Sequence, residues 1–219
     1  VRLATEQVRL VTERDNVGPF FASLDPAQRL ASMDRNRGPY DDIKMRMCIY
    51  VPLFEGVPGQ VLDVGCGRGE LLALLRYQGL ECWGADSDPL MVEECGRHEV
   101  HARCLGALEA LESVPDASLG GVFAGQVIEH FYPAELLEFI RLARKKLAPG
   151  GRMILETLNP AALAVLSKSY YRDLDHKHPI HPEYIKSLLE MVGFEPVTLE
   201  YLHPFREEDE KLAPLPAAQ

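Results

Sequence analysis

The sequence has few of the features that mark secreted, membrane-spanning and nucleic-acid-binding proteins. No apolar run approaches the roughly 20 residues needed to span a bilayer, and the first residues lack the apolar segment of a signal peptide. The 5 cysteines form no C-x-x-C pair, which argues against a disulfide framework and a zinc knuckle. Basic residues number 23 against 33 acidic ones, which argues against a long nucleic acid as partner. We therefore expect a cytoplasmic protein without a membrane span.

The length and composition fit one folded domain with extensions at both ends. A chain of 219 residues, 47% of them hydrophobic, is long enough to bury the core of one α/β domain. We predict an N-terminal helical extension and cap at 1–56, a ligand-binding domain at 57–204 and an acidic, proline-rich tail at 205–219. Heptad-like spacing predicts a connector helix at 1–14. The first residue is not methionine, which fits one domain of a longer polypeptide and fits processing equally. We expect the chain to belong to a larger polypeptide or to a homo-oligomer.

Short apolar segments alternate with amphipathic ones along most of the chain. Helices are predicted at 41–54, 70–78, 133–147 and 182–192 and from Pro89, and strands at 61–64, 82–85, 100–104, 119–124, 153–157 and 195–202. This alternation predicts an α/β fold with a mostly parallel central sheet and helices on both faces. Ligands of such folds bind at the carboxyl ends of the strands.

A glycine-rich turn follows the first predicted strand, in the sequence Asp63-Val64-Gly65-Cys66-Gly67-Arg68-Gly69. Glycines there let backbone N–H groups approach a ligand closely, and the next helix adds positive potential at its N-terminus. A nicotinamide site uses the same physics, but here the spacing is G-x-G-x-G with an acidic residue two positions before the first glycine. Asp86, at the end of the second strand, suits a bidentate hydrogen bond to ribose hydroxyls. We favour this interpretation over a turn that is only structural.

These features resemble the class I methyltransferases that depend on S-adenosylmethionine (SAM). The resemblance runs from about 61 to 202 and implies a Rossmann-like fold with SAM as cofactor. Four segments carry it: the 63–69 loop, Asp86, Gln126-Val127-Ile128-Glu129-His130 after the fourth strand, and Pro149-Gly150-Gly151 before the fifth.

The resemblance also implies which residues contact the cofactor. Gly65 and Gly67 would line its methionine part, and Met91 would lie near the adenine. Many family members have an aspartate after the third strand, where this chain has Leu105-Gly106-Ala107-Leu108, so backbone groups would recognise the adenine there. The full implied set of cofactor-binding residues is Arg37, Asp63, Gly65, Cys66, Gly67, Asp86, Ser87, Met91, Ala107, Leu108 and Gln126.

The flanking segments resemble a narrower group, the methyltransferases of bacterial surface and storage polysaccharide assembly. Arg37-Gly38 and Lys44 carry this resemblance upstream, and 171–183 carries it downstream. That group tends to have a D-P-T-H segment, where this chain reads Asp173-Leu174-Asp175-His176. The resemblance implies a saccharide or glycan-precursor acceptor, a contribution of 1–56 to the site and a bond from Arg37 to the SAM carboxylate. The alternative for Arg37 is a solvated surface position.

Gln126, Glu129 and His130 follow the fourth strand, where the SAM methyl group is expected. Their i, i+3, i+4 spacing would put all three on one side of a helical turn. The segment is similar to the E-x-x-E-H metal motif of ubiquinone-pathway and small-RNA 2′-O-methyltransferases, with Gln126 in place of the first glutamate. It implies Mg²⁺ or Mn²⁺ bound by Glu129, His130 and His176. The alternative is that His130 donates to a backbone carbonyl and Glu129 caps the helix.

Three histidines, at 176, 178 and 181, form a proline-containing loop expected over the same sheet edge. A hydroxyl has a pKa far above 7, so methyl transfer to it benefits from a base or a metal. Histidine suits the base role because its pKa lies near neutrality. We favour His176, with Asp173 fixing its tautomer and with Glu129 and His130 as the other catalytic candidates.

The leading functional hypothesis is a SAM-dependent O-methyltransferase that acts on a sugar hydroxyl. Methylation of a small aromatic or lipid-linked hydroxyl is the second, because the Glu129-His130 motif is shared with such enzymes. The third is a SAM-binding domain without activity that acts as a scaffold. Screening of acceptors separates the first two, and tight SAM binding without turnover would favour the third.

Overall fold

The computed structural model describes residues 25–173 and 175–202. The connector helix predicted at 1–14 and the tail predicted at 205–219 lie outside the described residues. Leu174, within the predicted Asp173–His176 segment, also lies outside them.

The described residues form eight α-helices and five strands. The helices are α1 Pro26–Asn36, α2 Tyr40–Met47, α3 Glu70–Tyr77, α4 Pro89–Arg97, α5 Ala107–Glu112, α6 Pro133–Lys146, α7 Leu163–Lys168 and α8 Pro182–Val192. The strands are β1 Gln60–Val64, β2 Cys82–Asp86, β3 Ala102–Cys104, β4 Leu119–Gly125 and β5 Leu147–Glu156. Short 3-10 turns lie at Cys48–Phe54, Ile128–His130 and Tyr170–Arg172.

The five strands form one parallel sheet in the order β3-β2-β1-β4-β5. Successive side chains of a strand point to opposite faces, so each apolar strand contributes to two cores. Leu62 and Val122 pack into a cluster with α5, α6 and α8 on one face, whereas Val61 and Phe123 pack with Tyr50 and α3 on the other. The predicted Rossmann-like α/β fold with a parallel sheet is confirmed.

Several predicted element bounds differ from the structure. The helix predicted at 41–54 is α2 followed by the 3-10 turn at Cys48–Phe54, which contains Pro52; a proline interrupts the hydrogen bonding of an α-helix. The strand predicted at 100–104 is shorter, at Ala102–Cys104. The strand predicted at 195–202 is wrong, because that segment pairs with no strand among the described residues. An alternating sequence indicates which side chains face the core, but it does not show whether the backbone pairs with a neighbouring strand.

The segment that precedes the sheet packs beside the carboxyl ends of β1 and β2. Arg29 on α1 forms an ion pair with Asp88, the N-cap residue of α4. Arg68, within the glycine turn, donates a hydrogen bond of 3.0 Å to the carbonyl oxygen of Gly38. The described part of the predicted cap therefore contacts the loops that follow β1 and β2. No helix within 25–173 and 175–202 has the length and apolar character needed to cross a membrane.

Candidate active site

A cavity of about 1690 Å³ opens at the carboxyl ends of β1, β4 and β5. Most of the predicted site residues contribute to its wall. The lining includes Arg37, Asp63, Gly65, Cys66, Gln126, His130, Asp173 and His176, together with Tyr50, Glu156 and Thr157. The tertiary structure thus brings the glycine loop, the residues after β4 and the histidine loop to one space.

The glycine loop is held by backbone hydrogen bonds to the end of β2. The N–H groups of Gly65 and Cys66 both donate to the carbonyl oxygen of Ala85, at 2.8 and 3.1 Å, and the N–H of Gly67 donates to Oδ2 of Asp86 at 2.9 Å. Gly65 has a φ of +66°, and a Cβ there would lie 2.4 Å from Cγ2 of Val127. Only glycine fits between the loop and the residues after β4.

Two carboxyl groups lie beneath this loop. Burial raises the pKa of Asp63 well above its usual range, and Glu70 and Asp86 add to this effect, while Arg37 opposes it. Burial also raises the pKa of Asp86, against the hydrogen bonds from the N–H groups of Asp88 and Gly67. The Nη1 atom of Arg37 would lie 3.2 Å from a Cβ built on Gly67. Arg37 is therefore a cation beside the loop that opposes its acidic charge, and its bond to the SAM carboxylate remains a prediction.

Six of the predicted cofactor-binding residues lie in the glycine loop or beyond the ends of β2 and β3. In the described part of the chain, the cavity wall does not include Gly67, Asp86, Ser87, Met91, Ala107 or Leu108. Met91 is buried on α4, and Ala107 and Leu108 begin α5 with their side chains against the core. The ion pair between Arg29 and Asp88 holds α1 next to this end. The roles of these six residues remain predictions.

Gln126 does not share a helical turn with Glu129 and His130, so the predicted common face is wrong. Only Ile128–His130 form a 3-10 turn, and Gln126 has a left-handed φ of +57°. The N–H of Gln126 donates to the carbonyl oxygen of Glu156 at 2.8 Å, and its Nε2 donates to Oε1 of the same residue at 3.1 Å. Gln126 is therefore held at the end of β5 and lies outside the turn that contains Glu129 and His130.

Glu129, His130 and His176 lie together, with one ligand atom from each within 4.8 Å of the others. Glu129 is fully buried. Its Oε2 accepts a hydrogen bond of 3.0 Å from Oγ1 of Thr157, whereas Oε1 has no hydrogen-bond partner among the described residues. That free oxygen lies 4.0 Å from Nε2 of His176. A buried carboxylate oxygen without a partner is costly, which makes this cluster fit a divalent cation.

In both histidines of the cluster, a backbone carbonyl oxygen faces Nδ1 and can accept a hydrogen bond from it. The Nδ1 of His176 lies 2.7 Å from the carbonyl oxygen of Tyr170, and that of His130 lies 3.3 Å from the carbonyl oxygen of Asp175. These acceptors favour a proton on Nδ1 and leave the Nε2 lone pairs available to a metal. Asp173 lies on the other side of the ring, with its Oδ2 4.0 Å from Nε2 of His176, and its tautomer-fixing role remains a prediction.

The ionisable groups of the cluster shift one another's pKa values. Burial raises the pKa of the Glu129 carboxyl group, and the neighbouring His130, Thr157 and His176 oppose this effect. Burial lowers the pKa of His130, but the side-chain carboxylate of Asp175, whose Oδ2 lies 3.4 Å from Nδ1 of His130, and the charge of Glu129 outweigh burial and raise that pKa. The hydrogen bond to His130 and then the one to Lys177 lower the pKa of Asp175 to about 2, despite its partial burial.

The other two histidines of the loop have different surroundings. His178 is exposed. The Nδ1 of His181 accepts from the N–H of Glu183 at 3.3 Å and so caps the N-terminus of α8. The loop itself is held to the cluster through its backbone, because the N–H of Lys177 donates to the carbonyl oxygen of Glu129 at 2.8 Å.

Three residues of the cavity wall were not among the predicted site residues: Tyr50, Glu156 and Thr157. Glu156 and Thr157 could have been predicted from the sequence, because they are polar residues at the end of an apolar strand, where ligands of such folds bind. Tyr50 could not, because its hydroxyl group reaches Glu156 from a segment that precedes the sheet. Oη of Tyr50 donates to Oε2 of Glu156 at 2.5 Å.

Comparison with known proteins identifies a family for most of the chain. A family model described as a methyltransferase domain matches residues 25–199. The crystal structure of a SAM-dependent methyltransferase from Archaeoglobus fulgidus is 33% identical, with a TM-score of 0.77 over 86% of this chain and 84% of that chain.

Curated relatives show the same similarity at the sequence level. The ubiquinone biosynthesis O-methyltransferase of Xanthomonas campestris is 30% identical in an alignment of 171 residues that covers 74% of this chain and 70% of the relative. The malonyl-[acyl-carrier protein] O-methyltransferase of Dechloromonas aromatica is 28% identical over 183 residues, 77% of this chain and 66% of the relative. Neither name concerns polysaccharide assembly, so these relatives give the narrower resemblance no support.

Proposed function

Because the chain belongs to the class I SAM-dependent methyltransferases, we propose that it methylates a hydroxyl oxygen held at the cluster of Glu129, His130 and His176. One observation carries this proposal: the partnerless Oε1 of Glu129 lies beside two imidazoles, those of His130 and His176, which line the cavity that the glycine loop also reaches. The curated relatives described above are named as O-methyltransferases, which supports an oxygen acceptor.

The residues at the glycine loop fit the cofactor. SAM supplies an electrophilic methyl group on a positively charged sulfonium. A side chain at position 65 would overlap Val127, so the loop has only glycine backbone where it must approach a ligand. Arg37 offers a cation for the carboxylate of the cofactor, and Asp63 and Gln126 offer acceptors for its amino group. Asp86 offers a carboxylate to the ribose hydroxyls.

The cluster fits Mg²⁺ or Mn²⁺ with Glu129, His130 and His176 as ligands. Such an ion lowers the pKa of a hydroxyl group bound to it. Tyr170 and Asp175 hold the two imidazoles with Nε2 free, and Thr157 orients the carboxylate of Glu129. Without an ion, His176 is our candidate for the base that removes the acceptor proton, since its Nε2 is the unengaged ring nitrogen.

We place a sugar hydroxyl first among acceptors, on the strength of the 171–183 segment that carries the cluster's second histidine. An aromatic hydroxyl is the second candidate, favoured by the similarity to a ubiquinone biosynthesis O-methyltransferase. In the second case, two adjacent hydroxyl groups would be available to chelate an ion at the cluster.

An acceptor screen tests the proposal. Purified protein is incubated with SAM labelled in the methyl group, Mg²⁺ and either nucleotide sugars and oligosaccharides or catechol-type phenols, and the products are analysed by mass spectrometry. Methyl ethers of saccharides support the first acceptor and methyl ethers of phenols the second. Methylation on nitrogen or carbon only would overturn the proposal, as would turnover that is the same in His176→Ala and wild type.

A further inference from the structure

Glu156, the last residue of β5, joins three parts of the structure at the cavity wall. Its side-chain Oε2 accepts the hydrogen bond from Tyr50, and its Oε1 accepts from Nε2 of Gln126. Its backbone carbonyl oxygen accepts from the N–H of Gln126. One residue thus connects the segment before the sheet with the ends of β4 and β5.

Tyr50 is a rigid donor to this carboxylate. Its side chain is 5% exposed, and its ring packs against Phe123 with the centroids 4.9 Å apart. Burial, followed by the hydrogen bond to Glu156, raises the pKa of Tyr50 far above its usual range, so the hydroxyl group keeps its proton and donates. The Tyr50 bond fixes one oxygen of Glu156 and leaves the other for Gln126.

Gln126 needs such support, because a φ of +57° is sparsely populated by residues other than glycine. Both of its hydrogen bonds to Glu156 favour this conformation. They also fix the side-chain amide: with Nε2 turned to the carboxylate, Oε1 is the polar atom left for a ligand in the cavity. A flipped amide would set its oxygen against a carboxylate oxygen, and the two would repel.

We infer that Glu156 is a positioning residue for SAM, which presents the amide oxygen of Gln126 to the cofactor and is itself fixed by Tyr50. The inference rests on the cofactor role proposed above for Gln126. SAM carries a positively charged sulfonium and an ammonium group, which an amide oxygen attracts and an amide NH₂ repels. Tyr50 therefore contributes to cofactor affinity through Glu156.

A double-mutant cycle between Tyr50 and Gln126 tests this inference. SAM affinity is measured by calorimetric titration for wild type, Tyr50→Phe, Gln126→Ala and the double variant. Tyr50→Phe keeps the ring against Phe123 and removes only the hydroxyl group. We expect it to weaken SAM binding by about 10-fold in the wild-type background, the effect of one hydrogen bond to a charged group, and by less than about 2-fold beside Gln126→Ala.

Variants of the carboxylate complete the test. Glu156→Ala should weaken SAM binding about as much as Gln126→Ala. Glu156→Gln should stay within about 3-fold of wild type, because its amide oxygen can accept from Gln126 while its NH₂ donates to the Tyr50 hydroxyl. Glu195→Gln, a change to an exposed carboxylate in the same cavity wall, is the matched control and should leave affinity unchanged. The KM for the acceptor should not change in any of these variants.

The outcomes separate this inference from the proposed function. If Gln126→Ala leaves SAM affinity unchanged, the cofactor role of Gln126 fails and the inference fails with it. If Gln126→Ala weakens binding but Tyr50→Phe has equal effects in both backgrounds, only the inference fails. A structural role alone would lower the melting temperature of Tyr50→Phe and leave the affinity cycle additive. Should Gln126→Ala be insoluble, Gln126→Gly removes the same side chain and tolerates the positive φ.

Discussion

Oε1 of Glu129 and Nε2 of His176 face each other across 4.0 Å, and His130 completes a cluster in which that buried oxygen has no other partner among the described residues. The two residues come from the turn after β4 and from the loop before α8. Their approach turns two separate sequence motifs into one candidate centre.

We expect activity to depend on a divalent cation at this cluster. Excess EDTA should remove most turnover, and Mg²⁺ or Mn²⁺ should restore it. Direct binding of Mn²⁺, followed by electron paramagnetic resonance, gives a measure that does not depend on activity. Glu129→Gln should weaken that binding by at least about 10-fold, because metal affinity falls when a charged ligand is lost. Full activity in EDTA, with no metal found by elemental analysis, would sink this prediction and leave the cluster as acid–base or structural groups.

We expect His176→Ala to lower kcat by roughly 10²–10⁴-fold, the range for loss of a general base. SAM affinity should hardly change, because the polar groups near His176, on Tyr170, Glu129 and Asp173, are not ones proposed to hold the cofactor. His178→Ala is the matched control: it removes an exposed imidazole two residues away and should keep wild-type kcat. A His176→Ala enzyme with near-normal kcat would assign the residue to loop structure and direct attention to His130.

We expect Asp86→Ala to weaken SAM binding by about 1.5–3 kcal/mol, the cost of losing hydrogen bonds to a charged group. The carboxylate also accepts from the N–H of Gly67, so its removal loosens the loop as well. Calorimetric titration measures the affinity, and Asp42→Ala controls for the loss of one negative charge at an exposed site on α2. Unchanged affinity in a folded Asp86→Ala protein would remove Asp86 from the cofactor site.

We expect Gly65→Ala to destabilise the protein by about 2–5 kcal/mol, because strain at positive φ adds to the overlap with Val127. Gly79→Ala separates the two effects. Gly79 has a φ of +76° with nothing within 4 Å of a built Cβ, so the cost there should be only about 1–2 kcal/mol. Denaturant unfolding measures both. Equal costs at the two positions would show that the crowding against Val127 contributes nothing.

Most of the fold and part of the site could be predicted from the sequence. The alternation of apolar strands with amphipathic helices determined the parallel α/β sheet, because burial of both faces of each strand follows from local periodicity. The Asp63–Gly69 segment determined the loop after β1, because its glycines permit positive φ angles that few other residues adopt. The Asp173–His176 motif predicts His176 as the candidate base, and the common sheet edge predicts that it lies near Glu129.

Tertiary structure alone decided which of these residues meet. Spacing put Gln126 with Glu129 and His130, but the left-handed backbone after β4 turned Gln126 toward Glu156 instead. The bond from Tyr50 to Glu156 joins segments 106 residues apart, and no local pattern encodes it. The segment at 195–202 alternates as a strand would, yet pairing needs a partner with free backbone groups at the right distance. Side-chain period follows from the sequence of one segment, whereas hydrogen-bond partners follow from how several segments pack.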